Sequence, residues 1–183
     1  MKLVPTALSD VVEVQPARFG DDRGWFSEVF KTDVLAEGGI DVPFVQDNES
    51  FSAPLGTLRG IHYQVAPHPQ GKLVRVVRGS ILDIAVDLRR SSPTFGEHVA
   101  VTLTADAGNQ LYVPVGFGHA FVTLEPDVQV IYKVTDRYAP ECERAIRWDD
   151  PQLAIAWPDS AAPTLSAKDE VAPLLADQPD LFD

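Results

Sequence analysis

The chain has 183 residues, of which 45% are hydrophobic, with a formal net charge of −12 and one cysteine, Cys142. That length and apolar content suit one folded domain spanning residues 1–183 and argue against disorder. The acidic balance argues against non-specific binding to nucleic acid, because phosphate repels such a surface, and a lone cysteine excludes an intramolecular disulfide and a cysteine-based zinc cluster.

From the start, MKLVPTALSD is broken by Pro5 and turns polar, so no secretory leader is expected. No apolar run reaches the length of a membrane span. A cytoplasmic protein without membrane contact is the expectation. Residues 21–24 (DDRG) read as a turn, and WFSEVF after them alternates moderately. Residues 32–39 (TDVLAEGG) predict a short helix, with Thr32 as its N-cap and Gly38 or Gly39 at its end. RGIHYQ, residues 59–64, reads as the start of a strand. Residues 71–89 (GKLVRVVRGSILDIAVDLR) give the strongest β signal. There Leu82, Ile84, Val86 and Leu88 alternate with Asp83, Ala85 and Asp87. Further strands are predicted in EHVAVTLTAD, NQLYVPVGFGHAFVTL and VQVIYKVTDRY. Strands at this spacing predict a mainly β chain, a jelly roll. From about residue 151 the chain is rich in proline and alanine, and one or two short helices are expected to pack back on the barrel.

Arg59, Lys72, Arg75 and Arg78 crowd into one stretch, preceded by Arg23. On an acidic protein they read either as a pocket for a small anionic ligand or as scattered solvated charge. PVGFGH, residues 114–119, has the spacing P-x-G-x-x-H. Proline and glycines there shape a tight turn, and the next strand points His119 inward. The spacing resembles the second motif of the cupin superfamily, whose fold is a jelly-roll barrel. In metal-binding cupins the first motif carries two histidines and a carboxylate. Here IHYQ offers His62, but Gln64 stands at the second histidine position. His68 and His98 lie in loop-like contexts. A transition-metal site usually needs three protein ligands, so no metal is expected. The residues alone still leave three readings of His62 open: a metal ligand, a catalytic base or a core histidine.

Read in order, GDDRGWFSE, FVQDNES, LRGIHYQ, GKLVRVVRG, SPTFG, VPVGFGHAFVTL, YKVTDRYAPECE, WDDP, IAWP and LSAKDEVAPLL resemble the dTDP-4-dehydrorhamnose 3,5-epimerase family. The likeness covers almost the whole chain. It implies a cupin jelly roll working without metal or other cofactor on a dTDP-linked 4-keto-6-deoxyhexose, in the synthesis of dTDP-L-rhamnose. It also implies a homodimer in which an N-terminal strand pairs with the neighbouring subunit.

Epimerisation beside a ketone needs a base, an acid on the opposite face and a cation at the ketone oxygen. The resemblance gives these roles to His62, Tyr132 and Lys72, with Asp169 fixing the imidazole. The residues by themselves offer plainer readings. SAKD has capping-box spacing, with Ser166 as N-cap and Asp169 at N3. Tyr132 alternates with Val130 and Val134 like a core tyrosine. Lys72 could be an exposed strand-end lysine. Asp83, on the small face of its strand, is expected to support Lys72 or His62, since a buried carboxylate is costly unless paired. The resemblance assigns substrate binding to Arg23, Glu28, Gln46, Asn48, Arg59, His119, Glu143 and Lys168, with Tyr138 and Phe26 as stacking candidates for thymine. Arg23 and Glu28 are expected to serve the partner's site.

One geometric problem stands. In an ideal strand Arg59 and His62 point to opposite faces, unless Gly60 forms a bulge or Arg59 still belongs to the loop. Competing functions are an epimerase acting at C3 or C5 alone, a metal-dependent cupin oxygenase and a non-catalytic sugar-binding cupin. Gln64 argues against the oxygenase, and the set His62, Lys72, Tyr132 and Asp169 argues against a mere binder.

Overall fold

The structure is a computed structural model that describes residues 1–158 and 162–183. It is built from β1 (Lys2–Pro5), β2 (Val12–Gln15), β3 (Arg18–Asp21), β4 (Gly24–Ser27), α1 (Thr32–Glu37), β5 (Gln46–Ser52), β6 (Leu58–Gln64) and β7 (Lys72–Arg78). These are followed by β8 (Ser80–Asp87), β9 (His98–Thr104), β10 (Gln110–Val113), β11 (Phe117–Thr123), β12 (Val128–Val134), β13 (Glu143–Ala145) and α2 (Ala167–Glu170). The larger sheet has the order β1-β2-β10-β7-β12-β5, and the smaller β13-β6-β11-β8-β9. Their strands pair antiparallel, while β3 and β4 form a separate hairpin. This is the mainly β architecture expected from the strand spacing.

Pleat parity explains the core. Val74, Val76, Ile81, Ala85, Phe121 and Val130 come from both sheets into one buried cluster. The other face of the smaller sheet carries Ile61, Ile84, Val86 and Ala120, covered by Leu153, Leu175 and Phe182 from the C-terminal segment. The other face of the larger sheet carries Val14, Leu73 and Tyr112 beneath Leu35 of α1. Fully burying each of the valine, leucine, isoleucine and phenylalanine side chains contributes about 1.5–3 kcal/mol.

The structure corrects several local expectations. Thr32 is the first helical residue of α1, and Lys31, without a side-chain cap, occupies the N-cap. The long β signal over residues 71–89 divides into β7 and β8 at Gly79. His98 heads β9 instead of lying in a loop. Strands β1, β2 and β5 carried no clear pattern. In β5 the less exposed positions are polar, Gln46, Asn48, Ser50 and Ser52, so the hydrophobic alternation that marks a strand is missing.

Gly60 settles the parity problem. On β11, Phe121 pairs with Arg59 and His119 with His62, so three steps along β6 match two along β11. That extra residue is a β-bulge, and it turns Arg59 to the face that carries His62. Gly60 has φ +120, and a Cβ there would lie 2.6 Å from the His119 carbonyl oxygen and 2.5 Å from the Ala120 Cβ. No other residue fits without moving backbone. Gly60→Ala is therefore expected to destabilise the fold by about 2–4 kcal/mol. Thermal unfolding measures it, and a wild-type melting temperature would show that the bulge tolerates a side chain.

Candidate active site

Two adjoining cavities, of about 310 and about 570 Å³, share His62, Lys72, Tyr132, Tyr138 and Glu143 as walls. The larger also reaches Arg59, His119 and Asp169, and the smaller reaches Gln46 and Asn48. His62 projects from the smaller sheet and Tyr132 from the larger, so the two meet the cavity from opposite walls.

His62 Nε2 lies 2.6 Å from Asp169 Oδ1, across 107 residues of chain. Asp169 is 2% exposed. Burial pushes the His62 imidazole below its ordinary range, against the pull of Asp169 and with the help of Lys72 and Lys168. Burial also pulls the Asp169 carboxyl upward, but hydrogen bonds from His62 and Ser166 and the charge of His62 outweigh it and hold the carboxyl below its ordinary range. The pair at neutral pH is thus a neutral imidazole donating Nε2–H to a carboxylate, which leaves Nδ1 as a free lone pair for proton uptake. The cap belongs to Ser166, and Asp169 does not close a capping box, since its carboxylate accepts from the Ser166 hydroxyl and not from the Ser166 backbone N–H. Ser166 is the N-cap of α2 and accepts from the Asp169 backbone N–H, while the Asp169 side chain faces His62.

Lys72 is buried, not an exposed strand end. Its Nζ points toward the His62 carbonyl oxygen at 3.4 Å. Burial pushes its pKa down to about 8, with Asp83 and Glu143 opposing the shift. Asp83 accepts a hydrogen bond from His119 Nε2 at 2.7 Å, not from Lys72 or His62. Its influence on Lys72 is through charge. Tyr132 packs against the interior cluster and also faces the cavity. Burial pushes its phenol above the ordinary range, so it is neutral and can donate.

At the mouth, Glu143 receives Lys168 Nζ at 2.6 Å and the Tyr138 hydroxyl at 3.2 Å. Gln46 donates to Asn48 and accepts the Tyr138 backbone N–H. The five crowded cations do not form one pocket. Arg59 and Lys72 line the larger cavity, Arg75 lines a separate depression on the larger sheet, Arg78 pairs with Asp127, and Arg23 is exposed and pairs with Asp21. Arg23 and Phe26 lie on the β3–β4 hairpin, and Glu28 follows it. None of the three lines the cavities, and Phe26 is 66% exposed. Ser50 and Phe121 line the larger cavity without a sequence signal beyond their strand parity.

Gln64, at the second histidine position, is buried and saturated by backbone: it donates to the carbonyls of His68 and Arg137 and accepts the Ala139 N–H. His68 bonds Asp136 and Arg137 instead of turning inward. Among the described residues no group of three or more ligating side chains converges as a metal site, and no helix is long and apolar enough to cross a membrane.

The family described as dTDP-4-dehydrorhamnose 3,5-epimerase matches residues 5–177. A protein of that name from Pseudomonas aeruginosa is 49% identical over 178 residues, covering 97% of each chain. The crystal structure of the epimerase of that name from Bacillus anthracis, with TDP and PPi bound, superposes with a TM-score of 0.92 at 45% identity, covering 94% of this chain and 98% of the other. A Legionella pneumophila dTDP-6-deoxy-D-glucose-3,5-epimerase, in complex with dTDP-4-keto-L-rhamnose, also gives 0.92, at 44% identity over 96% and 93% of the two chains.

The His62–Asp169 electrostatics are open to a direct check. Asp169→Asn removes the charge that raises the His62 pKa, so His62 is expected to titrate at still lower pH than in the wild type. Histidine NMR titration reads this, and an unchanged or raised midpoint would mean that Asp169 does not govern His62.

Proposed function

Because this chain belongs to the dTDP-4-dehydrorhamnose 3,5-epimerase family, we propose that it converts dTDP-4-dehydro-6-deoxy-D-glucose to dTDP-4-dehydro-L-rhamnose in dTDP-L-rhamnose synthesis. The observation that carries the reading is the placement of a paired histidine and a neutral tyrosine on opposite walls of one cavity, with a buried lysine beside them.

C3 and C5 both flank the C4 ketone, so their hydrogens are the acidic ones. His62 Nδ1 takes one as a proton, and the C–H electron pair moves to the ketone oxygen as an enolate. The Lys72 ammonium stabilises that developing charge in a water-poor setting, where a single such group is commonly worth about 3–4 kcal/mol of barrier. Asp169 keeps Nε2 protonated and steadies the imidazolium. Tyr132 returns a proton to the carbon from the other side, which inverts it. Solvent then takes the proton from the His62 imidazolium and returns one to the Tyr132 phenolate, a return that the raised pKa of the buried phenol favours. Repeating the cycle at the second carbon gives the double epimer.

Arg59 and Lys168 offer positive groups for the diphosphate, a guanidinium can grip phosphate bidentately, and His119 lines the same cavity for substrate binding. Gln46, Asn48, Glu143 and Tyr138 line the remaining walls for the nucleotide. The exposed β3–β4 hairpin, with Phe19, Trp25 and Phe26 each more than 60% exposed, supports a homodimer in which Arg23, Phe26 and Glu28 complete the partner's cavity. Residues 1–183 are read as one functional unit.

The deciding experiment is proton NMR of dTDP-4-keto-6-deoxyglucose with the enzyme in deuterated water. Wild type is expected to incorporate deuterium at C3 and C5 with inversion at both. Labelling at a single carbon would instead assign the chain to a 3- or 5-only epimerase. Tyr132→Phe should still exchange hydrogen through His62 but with retained configuration, so the ratio of exchange to inversion rises steeply. A proportional loss of both would remove Tyr132 from the role of second-face acid.

The pH profile tests Lys72. Its cationic form is needed and is lost as pH rises through about 8, so kcat/KM is expected to fall on that alkaline limb. His62 must be neutral, so the acid limb lies below the ordinary histidine range. Lys72→Met should lower kcat by about 10²–10³-fold and abolish the alkaline limb. Persistence of that limb in the variant would assign it to another group.

A further inference from the structure

We propose that Ser166 is a positioning residue for the reaction, holding the Asp169 carboxylate so that one oxygen faces His62. The proposal rests on the reading of His62 as the base. Ser166 Oγ donates to Asp169 Oδ2 at 2.8 Å, while Oδ1 serves His62 Nε2 at 2.6 Å. The same Oγ accepts from the Asp169 backbone N–H at 3.3 Å. The hydroxyl thus closes a ring onto one residue, and both carboxylate oxygens are committed to different partners.

The surrounding backbone makes this a fixed arrangement. Thr164 bridges to Thr57 just before β6, the Thr164 carbonyl accepts the Leu58 N–H at 3.0 Å, and the Thr164 N–H reaches the Gly56 carbonyl at 3.0 Å. The Ser166–Asp169 turn is therefore hung from the entry of the strand that carries His62. α2 is only four residues long and has little stability of its own, so without the serine bond the carboxylate is free to rotate away from the imidazole.

Asp169 raises the His62 pKa through its hydrogen bond and its charge. A carboxylate that rotates away gives up that pull, so removing the donor should lower the His62 pKa and move the acid limb of kcat to lower pH. The other charged or titratable groups around His62 are Arg59 on the same strand, Lys72 on β7, Lys168 on α2, Glu143 on β13, His119 opposite it on β11, Tyr132 on β12 and Tyr138, and none of them changes in the variants.

Three substitutions separate positioning from capping. Ser166→Thr keeps a hydroxyl. Ser166→Ala removes cap and donor together. Ser166→Gly keeps a tolerated N-cap residue but cannot donate to Asp169. The Ala and Gly variants are expected to lose about tenfold or more in kcat, with KM little changed and the acid limb lowered, while Thr is close to wild type. Melting temperature is measured in parallel. Wild-type kcat and acid limb in Ser166→Gly would overturn the proposal, as would losses that follow the melting temperature alone or that Thr fails to rescue. His62→Asn is the control for the underlying reading: if it still exchanges the C3 and C5 hydrogens, His62 is not the base. If it is inert while the Ser166 variants match wild type, only the Ser166 proposal fails.

Discussion

The hydrogen bond between His62 and Asp169 joins a strand of the barrel to a four-residue helix near the far end of the chain. It works because both partners are shielded. A carboxylate that is 2% exposed would be costly alone, and it is retained because His62 donates to one of its oxygens and Ser166 to the other. The neutral imidazole is a consequence of the same burial. Much of the C-terminal segment can be understood as the scaffold for this contact: Leu153, Leu175 and Phe182 cover the outside of the smaller sheet, and the Thr164 bridge fixes where the helix begins.

The cavity exists because the inward face of the sandwich changes character along its strands. On β12, Val128 and Val130 are buried in the interior, and Tyr132, two residues on, meets the cavity. On β7, Val74 and Val76 belong to the interior, and Lys72 begins the polar end. A buried ammonium needs compensation, and Asp83 and Glu143 supply opposing charge without a direct ion pair. Asp83 is itself held by His119 through one oxygen. Its other oxygen has no hydrogen-bond partner among the described residues. Burial wins even so, since Lys72 comes down to about 8, within reach of a group that must be cationic yet not inert.

Local sequence carried much of this. The strand alternation over residues 71–89, the turn at PVGFGH and the paired histidine segments were legible because each depends on neighbours a few positions away. The Ser166–Asp169 spacing was legible as a cap for the same reason. Gly116, with φ +97, lies in the turn that precedes β11, and it illustrates how a glycine inside such a motif reports backbone shape.

Other features depended on groups brought together from distant parts of the chain. The partner of Asp83 could not be read from β8, because His119 lies 36 residues away on a neighbouring strand. β5 was hidden because a strand lining a polar cavity lacks the apolar period that reveals strands. The charge cluster dissolved because pleat parity sends Arg75 and Lys72 to opposite faces of one strand, whatever their closeness in sequence. Only the bulge at Gly60 reverses that parity for Arg59 and His62. The sequence by itself determined the strands with an apolar period, the turns and the chemical types available. The tertiary structure decided which side chains share a cavity and which are charged there, because burial and long-range register, not adjacency, set both.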